Sequence, residues 1–474
     1  MIQTEGNALS VLVFFLWVPF ALWGAKRWPP AKATALLLLL PVMFLPERVE
    51  FKLPGLPPFT KTEIAVLWLL VGVWLYHRKR LKARPRNNWI RLAIAILLLG
   101  QVVTVLLNTD GVMMGAKFLI GHELDDTVRM VIATTLQSVV PFVLGAAMFR
   151  DSNDLRVLLQ TLLGAALVYG IFQLIEVRLS PQFNNWTYGF FQHDFLQMKR
   201  QGGFRPIVYM AHGLTVAMFT AVGLMAAATL SKAGLQLGRV KPKWAITYLA
   251  VVSILNKSVA AMLYAFTAVP IILFTSPKLQ FRIAVAISVV VLAYPTLRQT
   301  SLIPVYEIRD ALAAQFGDER AQSLTTRLVN EEEILERALE RPYFGWGTYG
   351  RSFKYSLKSG KQLSIPDGEW VNTIGMFGFV GFVGKYLLML LPIFMVARRL
   401  RFIRHKTDQT LLAGLAIILA FSVFDQIPNS SAHYLPYVFA GALLGTCTGI
   451  LAQEARRRRV AAEKTSMARR LQPA

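Results

Sequence analysis

The sequence predicts an all-α polytopic membrane protein of about 12–13 transmembrane helices, with one large, partly helical loop on one face. Three observations predict it. Hydrophobic residues make up 54% of the 474, and charged residues only 16%, against roughly 25% in soluble domains. Mean hydropathy is +0.46. Apolar runs such as 8–25, 89–107 and 434–451 approach or reach the length that crosses a bilayer, about 20 residues. A polar interval at about 298–369 then interrupts the apolar runs. A helical bundle in lipid needs only short connections, so this insert is where function is expected.

Thirteen spans are expected, at about 8–25, 32–46, 63–76, 89–107, 128–148, 156–175, 206–230, 244–256, 258–275, 282–297, 370–397, 409–425 and 435–453. The second, third and eighth are short. The pair meeting at 256–258 reads either as two spans or as one long broken helix. The chain divides into spans 1–10 over 1–297, the large loop over 298–369, three last spans over 370–453, and a basic tail over 454–474.

The net charge is +24, from 51 Lys and Arg against 27 Asp and Glu. Nucleic acid is not the expected partner, because the cations cluster in short loops between spans, as the positive-inside rule requires. With the N-terminus outside, the inside loops hold Lys26, Arg27, the run HRKRLKARPR at 77–86, and basic stretches at 150–156, 232–243, 278–282, 398–406 and 456–459. The outside loops are then 46–62, 108–127, 176–205, 298–369 and 426–433. An odd number of spans leaves the C-terminus inside. The single cysteine, Cys447, lies in the last span, which excludes an intramolecular disulfide and a cysteine metal site. No cleavable signal peptide is expected, since Glu5 and no basic cluster precede the first apolar run.

Within the large loop, 308–341 reads as a helix. Leu324, Leu328, Ile334, Leu335, Ala338 and Leu339 form its apolar side, while Glu331, Glu332, Glu333, Glu336 and Glu340 stay polar. Pro342 ends it, and Gly345 and Gly347 open a turn-rich segment.

Three constellations carry possible chemistry. The first is a set of outward cations: Arg200, Arg205, Lys257, Arg327 and Arg351, with Arg337 and Arg341 beside them. The positive-inside rule gives no reason for cations on this side. Arginine forks match phosphate oxygens, which suits a lipid diphosphate. The bland alternative is pairing with local acids. It fits Arg337 and Arg341, which have Glu333, Glu336 and Glu340 at helical spacing. It fits Arg200, Arg205 and Lys257 less well. The second is Asp367 and Glu369, at the entry to an apolar span, where an acid must be solvated or paired. A carboxylate there is able to accept a proton from a hydroxyl, or to cap the helix N-terminus. The third is Asp125 and Asp126, a short and common pair. His212 is expected one turn into a span, and Asp425 and His433 flank the last outer loop. The histidines show no metal-ligand spacing, and no nucleotide or hydrolase motif is present. An enzyme outside the membrane must therefore take its energy from a preformed activated donor.

At these residues the chain resembles the O-antigen ligase / O-antigen polymerase family of bacterial membrane glycosyltransferases. Four pieces match in order: RQGGFRP at 200–206, NKSVAA at 256–261, Arg327 through ERPYFGWG at 340–347, and DGEWVNTIGMFGFVG at 367–381. FKLPGLPPFTKTE at 51–63 resembles outer loops of exopolysaccharide-associated members. Where the family carries a histidine followed by an asparagine, this chain has Asp367 and Gly368. That departure leans the expectation towards a polymerase over a ligase acting on lipid A-core or protein.

The resemblance implies a GT-C-like architecture in the bacterial inner membrane, with the large loop and N-terminus in the periplasm and the C-terminus in the cytoplasm. It implies a glycan donor on undecaprenyl diphosphate, a sugar hydroxyl as acceptor, and other polysaccharide assembly proteins as partners. Arg200, Arg205, Lys257 and Arg327 would clamp the diphosphate, with Arg351 in reserve. Asp367, or failing it Glu369, would deprotonate the acceptor in a displacement that inverts the anomeric carbon. No metal or cofactor is implied. The competing classes are a transporter of lipid-linked glycan and a structural subunit of an export complex.

Overall fold

The computed structural model describes residues 2–200, 202–300, 307, 310, 314, 318–365, 367–430 and 433–470. A helix occupies each of the thirteen expected stretches. Among the described residues, nine helices are long and apolar enough to cross a membrane: Ala8–Arg27, Asn88–Leu106, Leu124–Met148, Ser152–Leu179, Gly213–Lys232, Pro277–Gln299, Glu369–Phe402, Lys406–Phe424 and Leu435–Val460. Pro30–Phe44, Pro242–Leu255 and Val259–Phe274 are shorter apolar helices. Lys61–Lys82 has the length, but carries Lys61 and Glu63 at one end and three further cations in its last turn. The protein is an all-α, multi-pass membrane protein.

The short pair at 256–258 is two helices. Asn256 ends one and Ser258 begins the next. Between them Lys257 adopts a left-handed backbone with φ +53°.

Gly213–Lys232 lies at the centre, with 89% of its apolar window buried. Small side chains let its neighbours approach. A Cβ on Gly223 would meet the Ala166 Cβ at 2.2 Å. The last helix uses the same device. Gly441, Gly445 and Gly449 recur every four residues and lie on the carbonyl oxygens of Phe142, Ala146 and Arg150. In lipid, where apolar burial between helices drives little, such backbone proximity is a main source of packing energy.

The connections sort onto two faces. On one, the strands Ile2–Thr4 and Val49–Phe51 pair antiparallel, Arg48 donates to the Gln192 carbonyl at 2.8 Å, and Arg351 reaches the 110–120 segment. On the other, Arg80 donates to the Met148 carbonyl and to Asp154, both at 2.8 Å, and Ser152 bonds Asp408. These are the two groups of loops that alternating spans require.

Two expectations need correction. The span expected at 206–230 begins only at Gly213, and His212 is its N-cap rather than an intramembrane residue. The preceding strap is held out of helix by buried Glu176, whose carboxylate accepts from the Ile207 and Val208 N–H groups at 2.9 and 2.8 Å. The span expected at 370–397 is broken. Gly378 has φ +65° and ψ −172°, which glycine adopts at little steric cost. The segment after Pro342 docks on the break. Phe379 and Val380 donate to the Pro342 and Tyr343 carbonyls at 2.7 and 3.1 Å, while Trp346 and Gly347 donate to those of Gly375 and Met376 at 2.9 and 2.8 Å. The groups freed by the break are thereby satisfied, which a helix break at membrane depth demands. The 379–399 part keeps enough residues to span alone.

The loop helix is described over Asp318–Leu339; most of the expected stretch 308–317 lies outside the described residues. Its Glu331 accepts from Arg298 Nε at 3.0 Å, tying it to the preceding span. Leu328, Ile334, Leu335 and Ala338 are buried, as its apolar side predicts.

Candidate functional site

Four of the five expected cations converge on one face. Lys199–Arg200 and Gly203–Phe204 form a two-residue hairpin, and the Arg205 N–H closes behind it on the Met198 carbonyl at 2.7 Å. The Arg205 guanidinium, with the residue 8% exposed, donates to the Lys257 carbonyl at 2.9 Å. The Lys257 ammonium donates back to the Arg200 carbonyl at 2.9 Å. The turn bearing Lys257 is itself anchored: the Asn256 amide donates to Gln173 at 2.8 Å and to Thr220 at 3.1 Å inside the bundle. These contacts occupy backbone carbonyls, so they leave the cationic charge without a counter-ion.

Arg327 comes from the loop helix. It donates to the Pro428 carbonyl at 3.2 Å and to Asn429 Oδ1 at 3.3 Å. Asn429 in turn donates to the Asp425 carboxylate at 2.7 Å, so it links Arg327 to an acid without neutralising it. Burial lowers the Arg205 pKa to about 10, and the charges of Arg200 and Arg327 push the same way. Burial also lowers His212 to about 3, helped by His193 and by Arg205, Arg327 and Arg200. Its Nδ1 accepts the Leu214 N–H at 2.9 Å, and its ring meets that of His193 edge to face at 4.4 Å between centroids. His212 is therefore held neutral, by burial first and by the three guanidiniums of the cluster in addition.

Asp367 lies beside this cluster. Burial raises its pKa, while Arg327 and a hydrogen bond with Asn330 act against the rise. Its helix has Gly368 as N-cap, and the cap has no side-chain hydrogen bond. Asp367 is therefore not the helix cap that its position suggested.

Two expected residues stand elsewhere. Arg351 is fully buried, and its Nη1 donates to the Asp110 and Ile120 carbonyls at 2.7 and 2.8 Å. The charges that bear on it are Arg341, Arg337 and Asp110, none of them in the cluster, so it ties two loops together. Glu369, only two residues after Asp367, is ion-paired with Lys385 and accepts from Ser430 Oγ at 2.9 Å. It lines a separate polar cavity. Lys385 was legible as an intramembrane cation, which marks a functional position by default; sequence reasoning missed it.

The remaining candidates are absorbed structurally. Asp125 pairs with Arg129. Asp126 accepts from Tyr349 Oη at 2.6 Å and from the Glu123 N–H at 3.1 Å, with His122 at 3.2 Å. Arg337 pairs with Glu340, as the helical spacing predicts. Both Arg337 and Arg341 also lie over the Trp346 ring, at 3.4 and 4.2 Å from its centroid. His433 lines the cavity with Glu369 rather than the cation cluster.

The cluster has the chemistry to hold a polyanion of phosphate type beside an acid with a raised pKa. No protein-family model matches the chain, and no curated protein matches it at a significant level.

Proposed function

We propose that this chain is a bacterial membrane glycosyltransferase that lengthens a polysaccharide from an undecaprenyl-diphosphate-linked donor. The observation that carries the proposal is the convergence of Arg200, Arg205, Lys257 and Arg327, from separate elements, with no carboxylate paired to them in hydrogen-bond contact among the described residues. A diphosphate would supply the missing charge. Its two phosphates match guanidinium forks bidentately, and together they carry more charge than one carboxylate.

In the proposed reaction the acceptor hydroxyl oxygen attacks the anomeric carbon. The bond from that carbon to the diphosphate oxygen breaks, and the lipid diphosphate leaves with the bonding pair. The hydroxyl proton passes to the Asp367 carboxylate, whose raised pKa improves it as a base. The arginines hold the charge that builds on the leaving group, which is usually the largest catalytic term in such a site. Displacement from the opposite face inverts the anomeric centre. In this reading the cluster faces the periplasm of the inner membrane, with the N-terminus outside and the basic tail in the cytoplasm.

A transporter of lipid-linked glycan is the second reading. The break at Gly378 supports it, because discontinuous helices commonly frame transport sites. Purified full-length protein reconstituted with a lipid-linked donor separates the two. A new glycosidic bond made by this chain alone is the expected result; donor translocation without bond formation would replace the enzyme by the transporter. In cells lacking the chain, loss of long polymer with single repeats left on lipid marks a polymerase. Long polymer stranded on the lipid marks a ligase.

A further inference from the structure

A cavity of about 540 Å³ lies among the Lys61–Lys82, Asn88–Leu106, Leu124–Met148, Glu369–Arg399 and Leu435–Arg470 helices. None of the four clustered cations lines it. Its walls are made by irregular backbone on two helices. Thr135–Val139 is a π-helical turn, a feature frequent at functional sites, and it places Gln137 and Ser138 on the wall. The break at Gly378 places Thr373 and Lys385 there. Lys385 follows Glu369 by 16 positions, about 24 Å along a straight helix. Their ion pair therefore requires the two halves to fold around the cavity.

Among the described residues the lining is polar and carries no free cation. Lys385 is taken by Glu369 and donates also to Thr373 Oγ1 at 3.1 Å. Glu63 accepts from Gln137 at 2.7 Å and from the Thr60 N–H at 2.9 Å. Two carboxylates and one ammonium leave a formal charge of −1 on the wall. His433 has its pKa lowered to about 4 by burial and by Lys61, so it adds no charge at neutral pH. Such a wall repels phosphates.

What the wall offers is neutral hydrogen-bonding groups. The amide side chains of Gln101, Gln137, Asn372 and Gln426 and the hydroxyl side chains of Thr134, Ser138, Thr373 and Ser430 line it. Gln101 and Gln426 are each only 2% exposed. A ligand with several hydroxyl groups matches such a lining, because each hydroxyl both donates and accepts. The rings of Phe377, Tyr434 and Tyr437 supply apolar faces on the same wall. The volume falls within the range of about 300–1,000 Å³ for small-molecule sites.

We propose that this cavity is a binding site for a neutral saccharide unit. The inference rests on the cavity alone and does not require the diphosphate reading. The test is saturation-transfer NMR on the full-length protein in lipid nanodiscs, with glucose, galactose and N-acetylglucosamine as probes. At least one sugar is expected to bind, to bind at least tenfold more weakly to Gln426→Met, and to bind unchanged to Arg239→Ala, an exposed position away from this wall. A second measurement deletes no polar group. Ala133, on the same wall, is changed to Cys, and the rate of maleimide labelling is followed; the bound sugar is expected to slow it. Native Cys447 is buried and gives the baseline. Binding by none of the three sugars, equal binding to Gln426→Met, or loss on Arg239→Ala would overturn the proposal. Failure of the diphosphate reading would show instead as an inactive cluster with sugar binding intact.

Discussion

Gly378 lies so close to the backbone of Tyr343 that a Cβ at 378 would sit 2.2 Å from the Tyr343 carbonyl carbon. The contact joins the end of the loop segment to the break in the helix that follows, so the loop is seated on the bundle rather than suspended above it. Gly378→Ala meets both this clash and a left-handed φ, which alone costs roughly 1–2 kcal/mol. The expected result is a loss of at least about 2 kcal/mol in stability and a lower melting temperature in detergent. An unchanged melting temperature would mean that the loop does not dock there.

Arg200→Ala and Arg327→Ala test the diphosphate clamp. Each is expected to remove about 2–4 kcal/mol of transition-state stabilisation, roughly 30- to 1,000-fold in rate. Protein level in the membrane should stay normal, since Arg200 is exposed and, among the described residues, Arg327 makes two long hydrogen bonds. Parental activity in both variants would remove the clamp.

Asp367→Asn keeps shape and polarity but removes proton acceptance. Because Asp367 is not the helix cap, the substitution is expected to leave stability intact while abolishing transfer. In the parent, the raised pKa places the acid limb of the activity profile above the usual aspartate range. An active Asp367→Asn enzyme would leave the base unassigned.

Arg351→Met should separate structure from chemistry. It deletes two hydrogen bonds from a charged donor, together worth about 3–6 kcal/mol. Lower thermal stability with unchanged donor affinity is expected. A selective loss of donor affinity would restore Arg351 to the binding site.

The helices were legible because lipid demands long apolar runs, and basic loops separated the two faces. The cation cluster was legible for the converse reason: with the N-terminus taken as outside, Arg200, Arg205, Lys257 and Arg327 are charges that the positive-inside rule does not call for. The break at Gly378 was not, since the run from 370 to 397 stays apolar through it, and only glycines at 375, 378, 381 and 384 hint at close approach. The cavity was the least visible. Glu63, Gln101, Gln137 and Lys385 stand on four different helices, and only their packing makes them one wall. Neighbours in sequence misled as well: Asp367 and Glu369 are two residues apart and serve different surroundings.

His212 gives the cluster a pH signature. Its folded-state pKa of about 3 lies below the ordinary histidine value of 6.5. Between those values the unfolded chain binds a proton that the folded chain refuses, so stability is full above about pH 6.5 and falls as pH drops towards 3. His193, Arg205, Arg327 and Arg200 all press in this direction. His212→Asn keeps a good N-cap for the Leu214 N–H and removes the titration. The variant is expected to match the parent's melting temperature at pH 7.5 and to exceed it at pH 5. Parallel melting curves for the two proteins across that interval would mean that burial and the neighbouring cations do not hold His212 neutral.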